Sequence, residues 1–307
     1  MTNPVLVVGS VALDSVETPF GKADNVIGGS ANFFSASASH LAPVQVVGVV
    51  GNDYPLDQLR PLVERGVDFA GVEQADGPSF RWRGRYRHDL NVAETLETHL
   101  GVFSNFHPRI PEQFRDAPFV FLGNIDPRLQ LDVLDQVHEP KLVACDTMNF
   151  WIESRRPELL ALLQRVDAIT LNDGEARQLT EQFNLVKAAR WIMDRGPRLV
   201  IIKKGEHGAF MFTPESVFFA PAYPLEEVFD PTGAGDSFAG GFMGYLAHTG
   251  EVSDQSLRRA VIYGSAMGSF AVEKFSVGRL LEISHADVMR RVREFHRLVT
   301  FEAEIPA

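Results

Sequence analysis

Six short, nearly continuous apolar runs punctuate the first two thirds of the chain. They are Val5–Val8, Val44–Val50, Phe119–Leu122, Leu142–Cys145, Ala168–Leu171 and Leu199–Ile202. Each gives way to glycine, a small polar residue or lysine: Gly9, Gly51, Gly123, Asp146, Asn172 and Lys203. Runs of this length suit strands covered on both faces, as in a parallel sheet. Between them the apolar residues recur at the helical period over 31–41, 56–65, 129–137, 157–166 and 185–195. The alternation predicts an open α/β sheet with right-handed crossovers. In such a sheet ligands bind beyond the carboxyl ends of the strands, where this chain sets Gly, Asn, Asp and Lys.

Two segments break the alternation. Residues 11–27 read as a hairpin turning near Gly21, and residues 79–87 alternate strictly, with Phe80, Trp82 and Tyr86 against Arg81, Arg83, Arg85 and Arg87. Together they predict a small β lid over roughly 11–27 and 78–105, outside the main sheet. The arginine face reads as solvated edge protection; the competing reading is that an arginine, or the aromatic face, touches a ligand.

Composition narrows the function. Of 307 residues, 45% are hydrophobic, enough for one large core or two modest ones. A net charge of −11 argues against nucleic acid, which wants a basic face, yet leaves room for a small anion held by local dipoles. The single cysteine, Cys145, sits in an apolar run and reads as a buried side chain, so a metal cluster built on thiolates is excluded. The first apolar run is too short for a secretory signal, and no stretch reaches the ~20 apolar residues of a membrane helix. The expectation is a soluble, cytoplasmic protein without membrane contact.

The densest chemistry lies in Asp230-Pro231-Thr232-Gly233-Ala234-Gly235-Asp236, followed by a helical pattern beginning near Asp236. Small residues let backbone N–H groups converge on one point. The helix adds its positive end, so the turn suits an anion. Asp236 is then either a helix cap or a general base beside that anion. The base reading fits phosphoryl transfer, where charge must be neutralised while a hydroxyl gives up its proton. The chain has no Gly-x-x-x-x-Gly-Lys-Ser/Thr loop, and Gly9-Ser10-Val11 does not continue as a dinucleotide fingerprint.

The stretch 230–236 resembles the C-terminal signature of the PfkB (ribokinase-like) carbohydrate kinases. Gly28-Gly29-Ser30-Ala31-Asn32 is similar to that family's Gly-Gly-x-x-x-Asn element with one residue fewer. Gly9-Ser10-Val11-Ala12-Leu13-Asp14 resembles its opening strand, Asn172-Asp173-Gly174-Glu175 its Asn-x-x-Glu element, and Lys203–Gly208 its Thr-Leu-Gly-x-x-Gly strand end. The five elements follow the family's order.

The resemblance implies a single domain over 1–307, a three-layer α/β/α fold with a mainly parallel central sheet and a small β lid. It implies ATP and magnesium as co-substrates in phosphorylating the hydroxymethyl group of a small sugar. A ribonucleoside is the alternative acceptor, with a non-catalytic sugar or nucleotide sensor as the rival from another class and a nicotinamide dehydrogenase behind both. By this resemblance Asp236 is the base, and Gly233, Ala234 and Gly235 form the anion hole. Asp14 and Asn32 read the acceptor's hydroxyls, with Gly28 and Gly29 as the lid hinge. Asn172 and Glu175 organise magnesium and phosphates through water. Lys203, Gly205 and Gly208 border the nucleotide, and Asp230 with Thr232 marks a monovalent cation site suited to potassium. Phe33, Phe34, Phe80 and Trp82 either stack a nucleobase or fill the lid core, and a homodimer would form through the lid. Pro231 and the Lys203-Lys204 pair depart from the family pattern, and residues 266–278 match its adenine-side segment only loosely.

Overall fold

The computed structural model describes residues 2–300. In chain order the strands are β1 (Val5–Val8), β2 (Ala12–Thr18), β3 (Gly21–Gly28), β4 (Val44–Val50), β5 (Val67–Gln74), β6 (Phe80–Tyr86) and β7 (Ala93–His99). They continue as β8 (Phe119–Leu122), β9 (Leu142–Asp146), β10 (Ala168–Asn172), β11 (Leu199–Lys203), β12 (Ala209–Phe212) and β13 (Val217–Ala220). The main sheet runs β13-β12-β11-β10-β9-β8-β1-β4-β5, parallel from β5 to β11 and antiparallel at β12 and β13.

All six apolar runs are strands of this sheet, and the reason for their continuity is visible in the packing. Val5 and Val7 face one hydrophobic cluster while Leu6 and Val8 face another on the opposite side. The same division separates Ala144 from Val143 and Cys145, and Ile201 from Val200 and Ile202. A strand between two helical layers has no face left for polar residues. The sheet is therefore the middle of three layers, an α/β/α arrangement. The order reverses at β1, whose neighbours are β8 on one side and β4 on the other. That reversal opens the crevice at the strands' carboxyl ends.

Strands β5, β12 and β13 lie outside the six runs. Strand β5, at one edge, is interrupted by polar residues and half-exposed. By contrast β12 (Ala-Phe-Met-Phe) is mostly buried and β13 (Val-Phe-Phe-Ala), the opposite edge, is half-exposed, both being apolar but only four residues long. The helix read over 56–65 is two pieces, a 3₁₀ turn Leu56–Leu59 and a helix Arg60–Glu64, with Pro61 starting the second because it has no N–H to give the first.

The second sheet runs β3-β2-β6-β7, built from the two segments that broke the alternation. The hairpin β2–β3 is antiparallel, β2 pairs in parallel with β6, and β6 returns as β7. Each lid arginine has a carboxylate partner: Arg81 with Asp53 at 2.6 Å, Arg83 with Glu97 at 3.4 Å, Arg85 with Glu17 at 3.3 Å and Arg87 with Glu94 at 2.9 Å. These pairings fit the edge-protection reading of the arginine face.

The helix Ala234–Thr249 is wedged between Ser30–Ala38 and Asp254–Ala271. A Cβ on Gly240 would collide with the Phe34 carbonyl and lie 2.8 Å from the Ser37 Cβ, and one on Gly241 would lie 2.7 Å from the Tyr263 carbonyl. Close backbone approach on both flanks fixes where this helix starts. Gly240→Ala is expected to destabilise the protein by about 2 kcal/mol through overpacking, measured by urea unfolding. An unchanged midpoint would show that the flanking helices can part at no cost.

Candidate active site

The turn before Ala234–Thr249 is held from below by Asp230. One oxygen of this buried carboxylate accepts the Thr232 N–H at 2.9 Å and the other the Ser276 N–H at 3.2 Å. Gly233 caps the helix in the left-handed region, φ 73°, and a side chain there would run into the Phe33 ring. No side chain caps this 16-residue helix. Its first turn therefore presents backbone donors and the positive end of the helix to the crevice. The helix begins at Ala234, two residues earlier than the sequence pattern suggested, so Asp236 lies inside the first turn and is not the cap. Burial, then the neighbouring Asp146 charge, pushes its carboxyl up to about 7, against the pull of Lys203 and its own N–H.

Lys203, which the resemblance sets at the nucleotide's border, also reaches the anion turn. Its Nζ sits 3.2 Å from Asp146 Oδ2, with both side chains largely buried, and a Cβ built on Gly235 would lie 2.8 Å from that Nζ. The ammonium lies under the anion turn. Burial opposes its charge, but Asp146, Glu175 and Asp236 outweigh it and raise the pKa. Asp146 itself escaped the sequence reading. Its only signal was its position directly after an apolar run, shared with five other residues.

Asn172 and Glu175 form a capping box at the helix Asp173–Thr180. Asn172 Oδ1 accepts the Glu175 N–H at 2.8 Å, and Glu175 Oε2 accepts the Asn172 N–H at 2.7 Å. The helix-start alternative for Glu175 is thus realised, and one carboxylate oxygen remains outside the box. Burial and the Asp146 charge push Glu175 up to about 7, with Lys203 opposing. Among the described residues no three acidic, His or Cys side chains close on a metal by themselves. The carboxylate oxygens of Glu175 and Asp146 beside the anion turn are hard donors that suit magnesium arriving with its own waters and phosphates.

The other wall belongs to the lid. The buried Asp14 carboxyl lies directly over Gly28, where a Cβ would collide with it, and accepts the Gly29 N–H at 3.4 Å. Burial pushes it up to about 7; Gly29 opposes, and the Asp230 and Asp236 charges add to the rise. Asn32, fully buried, donates to the Gly28 carbonyl at 2.6 Å and to Tyr54 Oη at 2.8 Å, while its Oδ1 has no partner. A buried acceptor without a donor is costly, and an incoming hydroxyl would satisfy it. Tyr54, in the loop after β4, is a second site residue that the sequence did not single out.

The four aromatic candidates separate. Phe33 and Phe34 are 2% and 0% exposed, packed on Gly233 and Phe121, so they are core and cannot stack a base. Phe80 stacks on Phe103. Trp82 stands beside Asp14 in register, its indole lying across Gly84 and its Nε1 donating to Thr95 Oγ1 at 3.2 Å. Tyr86, two residues past Gly84 on the same face, receives the Thr232 hydroxyl at 3.4 Å. On the far side Gly205 and Gly208 adopt positive φ of 54° and 88° around a short turn, and Asn91 from the lid loop touches both Gly205 and Glu206.

A family model described as pfkB family carbohydrate kinase matches residues 5–283. A cytidine kinase of Thermococcus kodakarensis is 32% identical over 245 residues, 78% of this chain and 87% of that protein. The solved Burkholderia thailandensis nucleoside kinase in complex with inosine superposes with a TM-score of 0.78 at 21% identity, covering 94% of this chain and 97% of that one. The Salmonella enterica aminoimidazole riboside kinase, complexed with aminoimidazole riboside and an ATP analog, gives 0.75 at 21% identity, covering 94% and 100%. At such identities the likeness to the two structures is one of fold. No helix among the described residues is long and apolar enough to cross a membrane.

Asp14 and Asp236 each hold a proton more tightly in the folded protein than in the unfolded chain. Their contribution to stability is therefore present in acid and lost as pH rises through about 7. Asp236→Asn is expected to stabilise the protein by about 2 kcal/mol near pH 8, with the gain shrinking below about pH 6, read by urea unfolding at both pH values. A gain independent of pH would mean that the carboxylate is not strained by burial.

Proposed function

The chain belongs to the pfkB family of carbohydrate kinases, ATP-dependent kinases of sugars and nucleosides, and on that premise we propose that its acceptor is a ribonucleoside, phosphorylated on its hydroxymethyl group. One observation carries the choice: the Trp82 indole, laid flat on Gly84, stands in register beside Asp14. A carboxylate that reads ribosyl hydroxyls and an aromatic shelf next to it match a sugar with a base attached. A free pentose, the acceptor first expected, offers Asp14 and Asn32 the same hydroxyls but leaves Trp82 bare. The cytidine kinase relative points the same way.

In this reading Asp14 and the unpartnered Asn32 Oδ1 orient the acceptor, with Gly28 and Gly29 at the hinge beneath the lid. Asp236 takes the proton of the attacking hydroxyl, while the N–H groups of Gly233, Ala234 and Gly235 receive the phosphoryl oxygens. Asn172, Glu175, Gly205 and Gly208 line the nucleotide side. Magnesium, when bound with ATP, neutralises phosphate charge there. The buried Asp230 carboxylate has no ion-pair partner among the described residues, and with Thr232 it suits a potassium ion. The same reading takes residues 1–307 as one kinase domain with its lid, acting in the cytoplasm on small molecules and not on nucleic acid. A second copy of the chain would pair at the exposed outer strand β7.

ADP release with ATP and magnesium, measured across ribonucleosides, pentoses and sugar phosphates, tests the acceptor class. Trp82→Ala should raise the nucleoside KM about 10- to 100-fold, the worth of one stacked base, and leave any pentose KM unchanged. Turnover of pentoses alone would overturn the nucleoside reading. Asp236→Asn should abolish transfer on every acceptor while still binding ATP by calorimetry. Because the base must be ionised, kcat/KM of the wild type should rise with pH through an inflection near 7. A flat profile across that range would remove Asp236 from the role.

A further inference from the structure

Lys203 leaves the main sheet at the end of β11, two strands away from Asp146 at the end of β9. Its side chain turns back under the anion turn to reach that carboxylate. Strand alternation puts Asp146, Thr170, Ile201 and Lys203 on one face of the sheet, the face toward Ala234–Thr249. The hydroxyl of Thr170, buried between the two charged residues' strands, has no partner among the described residues, so a polar group stands free beside the pair. Gly235 makes room for the ammonium, since a Cβ there would sit within 2.8 Å of Nζ. Lysine suits this gap because its charge is a compact point on a slender stem. Three carboxylates, Asp146, Glu175 and Asp236, surround the one cation.

We propose that Lys203 is a catalytic residue whose ammonium contacts the transferring phosphoryl group within the Gly233–Asp236 turn, and that Asp146 is the residue that positions it. The proposal rests on the kinase reading above and moves Lys203 from the nucleotide's border to the reaction centre. As the acceptor oxygen bonds to the γ-phosphorus, the bond from that phosphorus to the bridging oxygen breaks. The bonding pair stays on ADP, and the acceptor's proton passes to Asp236. Charge on the three non-bridging oxygens has to be met by something fixed beforehand, and a buried ammonium tied to Asp146 needs no rearrangement to meet it. Lys203 also stands among the charges of Asp146, Glu175 and Asp236, so the base and the phosphoryl group share one counter-ion.

The test is a double-mutant cycle on wild type, Lys203→Met, Asp146→Asn and the pair, measuring kcat, acceptor KM and MgATP affinity by calorimetry. Lys203→Met should lower kcat about 100- to 1000-fold with acceptor KM nearly unchanged, as for loss of one transition-state donor. Asp146→Asn should lower kcat about tenfold, and the pair should be no slower than Lys203→Met alone, because residues acting as a unit are non-additive. Lys203→Arg, which keeps the charge, should retain more activity than Lys203→Met, and it carries the test if the methionine variant does not fold. Retained kcat with weakened MgATP binding in Lys203→Met would overturn the proposal, leaving the lysine a nucleotide contact. Multiplied losses in the pair would remove Asp146 from its role. A wild type that turns over while Asp236→Asn does not separates failure of this inference from failure of the kinase reading, which a wild type silent on all acceptors would overturn together with it.

Discussion

Everything in the crevice answers to one electrostatic problem: too many carboxylates and too little water. Asp14, Asp146, Glu175 and Asp230 are buried and Asp236 half-buried at the carboxyl ends of the strands or in the turn above them, and among the described side chains a single ammonium stands with them. Ionised groups taken out of water need partners or give up their charge. Three of these carboxyls accordingly sit near 7. A site so negative would repel a polyphosphate, yet the helix N-terminus, the turn's N–H groups and Lys203 point positive potential at one spot. This is how a chain with a net charge of −11 can take an anionic ligand: the local field outweighs the global one.

The two walls of the crevice differ in how firmly they are held. The anion turn is fixed by a helix whose glycines let two other helices close on it, and by Asp230 bridging to Ser276. The other wall is a four-stranded sheet that joins the main core only at its base, through Leu13 and Ile27, and is otherwise held largely by polar contacts. Thr18 donates to the Phe229 carbonyl at 2.8 Å, Ser276 to the Ile27 carbonyl, Thr232 to Tyr86, and Asn91 to Glu206. Three of these tie the lid to the loops around the anion turn and the fourth to the nucleotide side. On the reading proposed above, closing the lid would bring the base and both substrate subsites together and exclude water, which would otherwise compete as acceptor.

What the sequence made legible follows from what each residue's neighbours in sequence could reveal. The six two-sided strands announced themselves, since a strand with no exposed face has no polar positions. The anion turn was legible because its chemistry is local: small residues, then a helix, within seven positions. The Lys203–Asp146 pair was not, because its partners are 57 residues apart and meet only once β9, β10 and β11 are laid side by side. Tyr54 and Asn32 meet across 22 residues for the same reason. Phe33 and Phe34 misled in the opposite direction. Aromatic residues beside a substrate asparagine suggest stacking, but a helical residue next to a site residue faces elsewhere, and both rings turn into the core.

The sensor alternative can be weighed by the cost of Asp236. A protein that only held a nucleotide or a sugar would be served by the uncapped helix and its backbone donors. A half-buried carboxylate placed beside them repels the bound anion, raises the energy of the folded state above neutral pH and caps nothing. Asparagine or serine at the same position would relieve all three burdens. The only chemistry that turns these costs to use is one in which a proton has to leave a neighbouring hydroxyl at the moment the anion is transferred. The strain at Asp236 is thus an argument for turnover: the group is unfavourable to binding, unfavourable to folding, and suited to the transfer step alone.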